Sequence, residues 1–236
     1  MIILAFDSTA KAASVAITEN DRLLAQYNVE NGLTQSELLL PMAQAMLSSL
    51  HMDISEVNLF ACTTGPGSFT GVRIGAALVK GLAFGKEVPC VEVSTLEALA
   101  ESLSPLEGIL VPVMDARRAQ LYNAIFKRED DQTVRLTPDR AISIAELCEE
   151  LKQYGDTPIY LCGDGYSVTQ RALLESLPSL KKTPPLLISE NAYSVARVAY
   201  RKYQSGEYTT DIKLMPSYLR VPQAERERLE RLNTEN

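Results

Sequence analysis

Two aspartates stand where a chain of this kind would do chemistry. Asp7 follows the apolar run Ile2–Phe6 and precedes Ser8-Thr9, while Asp115 follows Ile109–Met114 and precedes Ala116-Arg117. A carboxylate at the exit of a strand is a common position for a ligand group in α/β proteins. In a nucleotide-using protein, the hairpin after each aspartate would clasp phosphate or orient a metal. The commoner task of such a residue is local, accepting the amides of its own turn. The second hairpin carries Arg117-Arg118 where tight phosphate turns usually have Gly and Thr.

A second chemical pattern is the glycine loop after Leu59–Thr63. Gly65-Pro66-Gly67 is a turn signal, and a helix with apolar spacing runs from Thr70 until Gly85. Gly65, Gly67 and Gly71 give G-x-G-x-x-x-G, one residue longer than the dinucleotide pattern. Gly71 is followed by Val72, so the lysine of a Walker loop is missing. Backbone amides at the helix start can still hold an anion, but the spacing departs from both phosphate motifs. Between Thr70 and Gly85 the only charges are Arg73 and Lys80. A helix apolar nearly all round is buried nearly all round, and one sheet face covers only one side of it. Gly71 and Gly75 share a face, each at a cost of about 1 kcal/mol relative to Ala. Close approach of another backbone, from a neighbouring helix of the same domain or from another chain, would compensate.

Other reactive groups are sparse. His51 is the single histidine in 236 residues, which argues against a Ser-His-Asp triad. Cys62, Cys90, Cys148 and Cys162 form no C-x-x-C pair. Neither a zinc ribbon nor a redox motif is therefore indicated, and the four read as small buried hydrophobes. A net charge of -7, with no run of Lys or Arg beyond two residues, argues against a nucleic-acid surface owned by this chain alone. With 46% hydrophobic and 22% charged residues, the chain has material for one large or two small domains. Met1–Phe6 lacks the charged start of a signal peptide, leaving a cytoplasmic chain as the default. The run to Gly85 is too short for a membrane span.

The elements that position these residues follow from periodicity. Residues 2–6, Ala13–Thr18 and Leu23–Val29 read as a strand meander. Thr34 and Glu37 have capping-box spacing ahead of an apolar helix that Pro41 either kinks or delays. Val88–Val93 is a strand, and Ser94 caps a helix through Leu103. Ile109–Phe126 repeats the N-terminal order of strand, Asp, turn and strand, which suggests internal duplication of a βββαβα unit with both aspartates at the cleft between the copies. Ser104-Pro105 marks the boundary, giving units 1–104 and 105–221 and a Glu/Arg-rich tail 222–236. The second unit continues with a strand Val134–Ile142, a helix Ile144–Leu151 opening at Ser143, and a strand Ile159–Cys162. A last helix, about 189–204 and capped by Ser189, carries Ala192, Val195, Ala196, Ala199 and Tyr203 on one face and is expected to pack back on the first unit.

Together these segments resemble the bacterial TsaB (YeaZ) family, the non-catalytic paralogue of TsaD in threonylcarbamoyladenosine tRNA modification. The resemblance rests on Ile3–Thr9, Ser36–Pro41, Gly65–Gly75, Val93–Leu99, Asp115–Arg118 and Pro216–Arg220. It is strong in the first half and looser in the second. Gln35 stands where members commonly have His. The resemblance implies an α/β, duplicated actin/Hsp70/sugar-kinase-like (ASKHA, RNase H-like) fold. It implies an accessory subunit without catalytic residues, required for threonylcarbamoyl transfer to N6 of the adenosine adjacent to the anticodon in tRNAs reading codons that begin with A. It implies a heterodimer with TsaD, with the TsaE ATPase joining, tRNA met only through the complex, and a homodimer when the partner is absent. The interface would be formed by Leu39, Met42 and Met46 of the first helix and Gly71, Val72, Gly75, Leu78, Val79 and Leu82 of the second. Gly65, Pro66 and Gly67 would be a structural loop, and Asp7, Ser8, Thr9, Asp115 and Arg117 a vestigial nucleotide cleft. No metal or cofactor would be bound by this chain alone, ATP being used by the complex. The alternative is a stand-alone ATP-dependent, sugar-kinase-like enzyme using Asp7 and Asp115.

Overall fold

The computed structural model describes residues 1–117 and 120–219. Arg118 of the second hairpin, Arg220 and the 222–236 tail lie outside them. In the first half, β1 (Ile2–Asp7), β2 (Ala13–Glu19) and β3 (Arg22–Val29) form the expected meander, followed by α1 (Gln35–Ser49), β4 (Leu59–Gly65), α2 (Phe69–Ala83), β5 (Cys90–Ser94) and α3 (Thr95–Ser102). The sheet order is β3-β2-β1-β4-β5, antiparallel up to β1 and parallel beyond it.

The second half repeats the plan. It runs β6 (Gly108–Asp115), β7 (Gln120–Asn123), β8 (Phe126–Glu129), β9 (Gln132–Arg135), β10 (Arg140–Ser143), α4 (Ile144–Leu151), β11 (Ile159–Cys162), α5 (Tyr166–Leu173), β12 (Leu180–Lys181) and α6 (Ala192–Gln204). Its sheet order, β10-β7-β6-β11-β12, matches the first sheet position for position. Both β7 and β8 pair antiparallel with β6, so they are one bulged strand. Their partner is likewise broken into β9 and β10, where a single strand from Val134 to Ile142 was expected. The break has a local cause: Leu136 and Thr137 both donate their amides to the Ile125 carbonyl at the bulge, and the Thr137 hydroxyl accepts from the Ile125 amide.

Period-two alternation in β1 buries both faces of the first sheet. Leu4 and Phe6 point into a core with Leu39, Met42, Met46, Ala76 and Val79 from α1 and α2. Ile3 and Ala5 point the other way, against Ala192, Val195, Ala196 and Ala199 of α6. The expectation that the last helix packs back on the first unit therefore describes the structure, although its cap is Asn191, whose side chain accepts from the Ser194 amide, and not Ser189. The exchange is mutual: Leu96 and Leu99 of α3, with Leu103 just after it, lie on the second sheet against Leu110, Met114 and Phe126. The two exchanged helices meet through Glu101, which accepts ion pairs from Arg197 at 2.7 Å and Arg201 at 2.6 Å.

Helix α1 starts at the Thr34 cap, whose amide and hydroxyl both donate to Glu37, and runs through Pro41. Pro41 thus sits inside the helix, on its exposed side. Cys62, Cys90 and Cys162 are buried and Cys148 half-buried, all as free thiols. Burial pushes the Cys90 thiol up to about 11, so it is no nucleophile at neutral pH. No helix among the described residues is long and apolar enough to cross a membrane.

Candidate functional site

Asp7 and Asp115 take equivalent positions and equivalent local bonds. Asp7 Oδ1 accepts from the Thr9 amide at 2.9 Å and hydroxyl at 2.7 Å, and Asp115 Oδ1 accepts from the Arg117 amide at 2.7 Å. Each aspartate caps its own turn. Their surroundings differ. Asp115 is exposed and lines a cleft of about 540 Å³, whereas Asp7 is buried and does not reach that cleft. The reading that puts both aspartates at the cleft is therefore half corrected: Thr9, Asp115 and Arg117 line it, and Asp7 and Ser8 do not. Burial raises the Asp7 carboxyl above the usual carboxylate range, against the lowering effect of its Thr9 bonds.

Ser8 explains the glycines of the following helix. Its hydroxyl donates to the Gly71 carbonyl at 2.8 Å. A Cβ on Gly71 would lie 1.9 Å from the Ser8 carbonyl oxygen, and one on Gly75 would lie 2.5 Å from the Ser8 hydroxyl. The backbone that these glycines admit is thus the exit of β1 in the same chain, not that of a neighbouring helix or a partner. In the loop before them, Gly67 lies against Thr9, the Ser68 amide donates to the Thr9 carbonyl at 2.7 Å, and the Ser68 side chain caps α2 by accepting from the Gly71 amide. Pro66 and Gly67 line the cleft between these contacts.

Most of the interface residues read from the sequence also lie elsewhere than on a free surface. Leu39, Met42, Met46, Val72 and Val79 are buried among the chain's own side chains, and Gly71 and Gly75 against Ser8. An all-round apolar helix needs two covers, and here β4 with its sheet supplies one and α1 the other. Leu78 and Leu82 remain half-exposed, beside half-buried Ile74 and exposed Ala77 and Gly81 on α2, and Leu40 on α1 is 40% exposed.

The stretch after α6 forms a strap that sequence reasoning missed. Thr209 pairs with Cys90 at the edge of β5, the Met215 amide donates to Glu92 at 2.6 Å, and the Ser217 amide donates to the Thr64 carbonyl at 2.7 Å. Lys80 donates to the carbonyls of Ile212 and Leu214, and Arg73 donates to the Tyr218 hydroxyl at 2.8 Å while lying over the Phe69 ring. A Cβ on Gly65 would lie 2.5 Å from the Ser217 carbonyl oxygen, so this glycine seats the strap. Ser217 and Tyr218 near its end line the cleft, as do Lys11 and Arg117. The two cations of α2 are therefore strap anchors. The motif Pro216–Arg220 was the one signal that could have placed this segment at the site.

Glu190 and Asp164 are the other residues that the sequence did not single out. Asp164 Oδ1 accepts from the Asp115 amide at 2.8 Å, and burial followed by the charge of Asp115 raises its carboxyl. Burial and then the charge of Asp7 push Glu190 up to about 8. Nothing in the pattern around Glu190 marks it, because its burial is created by the junction of the two halves. No group of three or more His, Cys, Asp or Glu side chains among the described residues is arranged to hold a metal ion.

Comparisons agree on the lineage of this architecture. The family model described as TsaD, tRNA N6-adenosine threonylcarbamoyltransferase, matches residues 34–227. Among curated relatives, the tRNA threonylcarbamoyladenosine biosynthesis protein TsaB of Bacillus subtilis is 29% identical over 95% of this chain and 96% of its own length. The Escherichia coli protein of the same name is 28% identical over 93% and 95%. A Pseudomonas aeruginosa crystal structure described as similar to the peptidase YeaZ superposes with a TM-score of 0.77 at 23% identity, covering 93% of this chain and 99% of its own. Component A of (R)-2-hydroxyglutaryl-CoA dehydratase from Acidaminococcus fermentans shares the fold more distantly, with a TM-score of 0.50 at 11% identity over 86% and 99% of the two chains. The chain belongs to the TsaD-type family of that model, and it is similar along nearly its whole length to proteins named TsaB and in its duplicated fold to the YeaZ-like structure.

Proposed function

We propose that the chain is an accessory subunit of threonylcarbamoyladenosine synthesis on tRNA, pairing with the catalytic paralogue TsaD. The observation that carries this reading is the likeness to proteins named for that pathway along nearly the whole of both chains. In this reading TsaD transfers threonylcarbamoyl to N6 of the adenosine beside the anticodon in tRNAs reading codons that begin with A, the TsaE ATPase consumes ATP, and tRNA is met only through the complex. The chain contributes a surface and no reacting group. That assignment is supported by the turn-capping of Asp7 and Asp115, whose Oδ1 atoms accept from Thr9 and Arg117.

The docking face follows from what the structure leaves uncovered. It consists of Leu40 on α1 and Ile74, Ala77, Leu78 and Leu82 on α2, which stay exposed or half-exposed although Ile74, Leu78 and Leu82 also pack on the edge of the chain's own core. In the absence of TsaD the same face pairs two copies of this chain. Reconstitution tests the proposal. TsaD and TsaE are expected to modify tRNA only when this chain is added, and full modification without it would refute the assignment. Leu78→Asp should abolish pairing in gel filtration while leaving the melting temperature within a few degrees.

The cleft of about 540 Å³ keeps a second reading in play, that of a stand-alone ATP-dependent enzyme. Titration calorimetry with Mg-ATP discriminates: tight binding by the isolated chain, lost in Asp115→Ala, would favour it.

A further inference from the structure

The strap changes its grip along its length. Up to Ser217 it is held by its backbone and by one buried side chain: Thr209 pairs with Cys90, Leu214 enters the core of the first half, and the amides of Met215 and Ser217 donate to Glu92 and Thr64. The Ser217 carbonyl is wedged against Gly65, where a Cβ would come within 2.5 Å of it. Tyr218 is held by its side chain. Its ring lies 5.0 Å from the Phe69 ring, and its hydroxyl accepts from Arg73 Nε at 2.8 Å. The Arg73 guanidinium stands 3.7 Å over the Phe69 ring and 5.7 Å from that of Tyr218, so one cation closes a clasp of two rings. Both rings line the cleft of about 540 Å³.

The cation of the clasp stands on the exposed side of α2, one turn before Ala77. Lys80, which donates to the Ile212 and Leu214 carbonyls, stands one turn after it. The two cations that hold the strap therefore bracket an exposed residue on the face of α2 that carries Ile74, Ala77, Leu78 and Leu82. The contacts of Arg73 are with a phenol and a ring, neither of them charged. Such contacts strengthen when water is excluded from them. Tyr218 is 42% exposed, so water reaches the clasp while that face is bare.

We propose that Tyr218 is a gate on the cleft with Arg73 as its catch, and that a partner seated on α2 shuts the gate by drying the catch; the proposal rests on the docking face assigned above. The two states differ by little more than one side chain. Shut, Tyr218 lies on Phe69 under the Arg73 bond; open, it turns to solvent and bares the Phe69 ring to the cleft, while the strap up to Ser217 stays in place. The coupling runs both ways. A ligand that fills the cleft and holds Tyr218 off Phe69 weakens docking by the same factor by which docking weakens that ligand.

The chain contains no tryptophan, so Phe69→Trp labelled with fluorotryptophan gives a single fluorine resonance that stays readable when unlabelled TsaD is added. Its shift between light and heavy water reads solvent at the clasp, and Tyr218→Ala in the same background sets the value for an open gate. With saturating TsaD the solvent shift should fall to about half or less. Adding Arg73→Gln removes the cation, and the fall should then disappear. An equal fall in that variant would mean that TsaD covers the ring directly and would overturn the gate, as would an unchanged shift in a complex that gel filtration shows to have formed. In the unaltered chain, amide exchange at Tyr218 and Leu219 should slow several-fold on docking, and a rate that does not change would also refute the coupling. If no complex forms at all, the docking assignment itself fails and the coupling falls with it.

Discussion

At the residue scale, two glycines of one helix have opposite meanings. Gly71 faces the Ser8 carbonyl at a separation no Cβ tolerates, whereas Gly81 has nothing within 4 Å. Gly71→Ala is expected to destabilise the fold by about 3 kcal/mol through overpacking, and Gly81→Ala to stabilise it by about 0.5–1 kcal/mol through helix propensity. Urea-denaturation midpoints moving in opposite directions would check both. Gly75→Leu, at a position expected from the sequence to meet a partner, should disturb this chain's own packing at Ser8 first. Glu190 gives a pH dependence whose sign follows from its raised carboxyl. Between 4.5 and about 8 the folded state binds the proton that the unfolded state has released. Stability from this group is therefore full below 4.5 and lost as pH rises through about 8. The melting temperature of Glu190→Gln, measured across that range, should lack the decline seen in the wild type.

At the element scale, the strap depends on side chains of α2. Lys80→Ala removes the donor to two strap carbonyls and Arg73→Ala the donor to Tyr218. Each should raise amide exchange in residues 209–219 several-fold while β1 and β4 stay protected, since the core beneath is untouched. The exchanged helices make a stronger contact. Glu101→Ala leaves Arg197 and Arg201 free to turn to solvent, and thermal denaturation should show a loss of about 2 kcal/mol for the charged Arg201 hydrogen bond and the Arg197 ion pair. Much of this scale was legible beforehand. The meander, the helix from Ser143 and the strand Ile159–Cys162 follow from alternation and capping. What escaped depends on distant contacts: the β9–β10 break follows from a bulge in its neighbour, and α5 carries little apolar periodicity beyond Tyr166 and Leu173. The role of Lys80 could not be read locally because its acceptors lie 132 and 134 residues further on.

At the scale of the whole molecule, duplication was readable from two aspartates and their flanks, and the site was readable only in part. Thr9, Asp115 and Arg117 come together as the repeat implies, while Glu190 is buried near Asp7 and Asp164 by a junction that no local pattern announces. The interface residues went astray for a related reason. An apolar helix identifies burial without saying by what, and intrachain packing satisfied seven of the nine positions. The exchange of α3 and α6 has a further consequence for how the gene can be divided. Residues 1–104 expressed alone would retain α3 but expose the sheet face that α6 covers, and residues 105–236 alone would expose the face that α3 covers. Each fragment should aggregate by itself, and the two co-expressed should recover a soluble complex the size of the intact chain on gel filtration. Each half carries the other's missing cover, so the gene can be cut between the halves only if both pieces are made together.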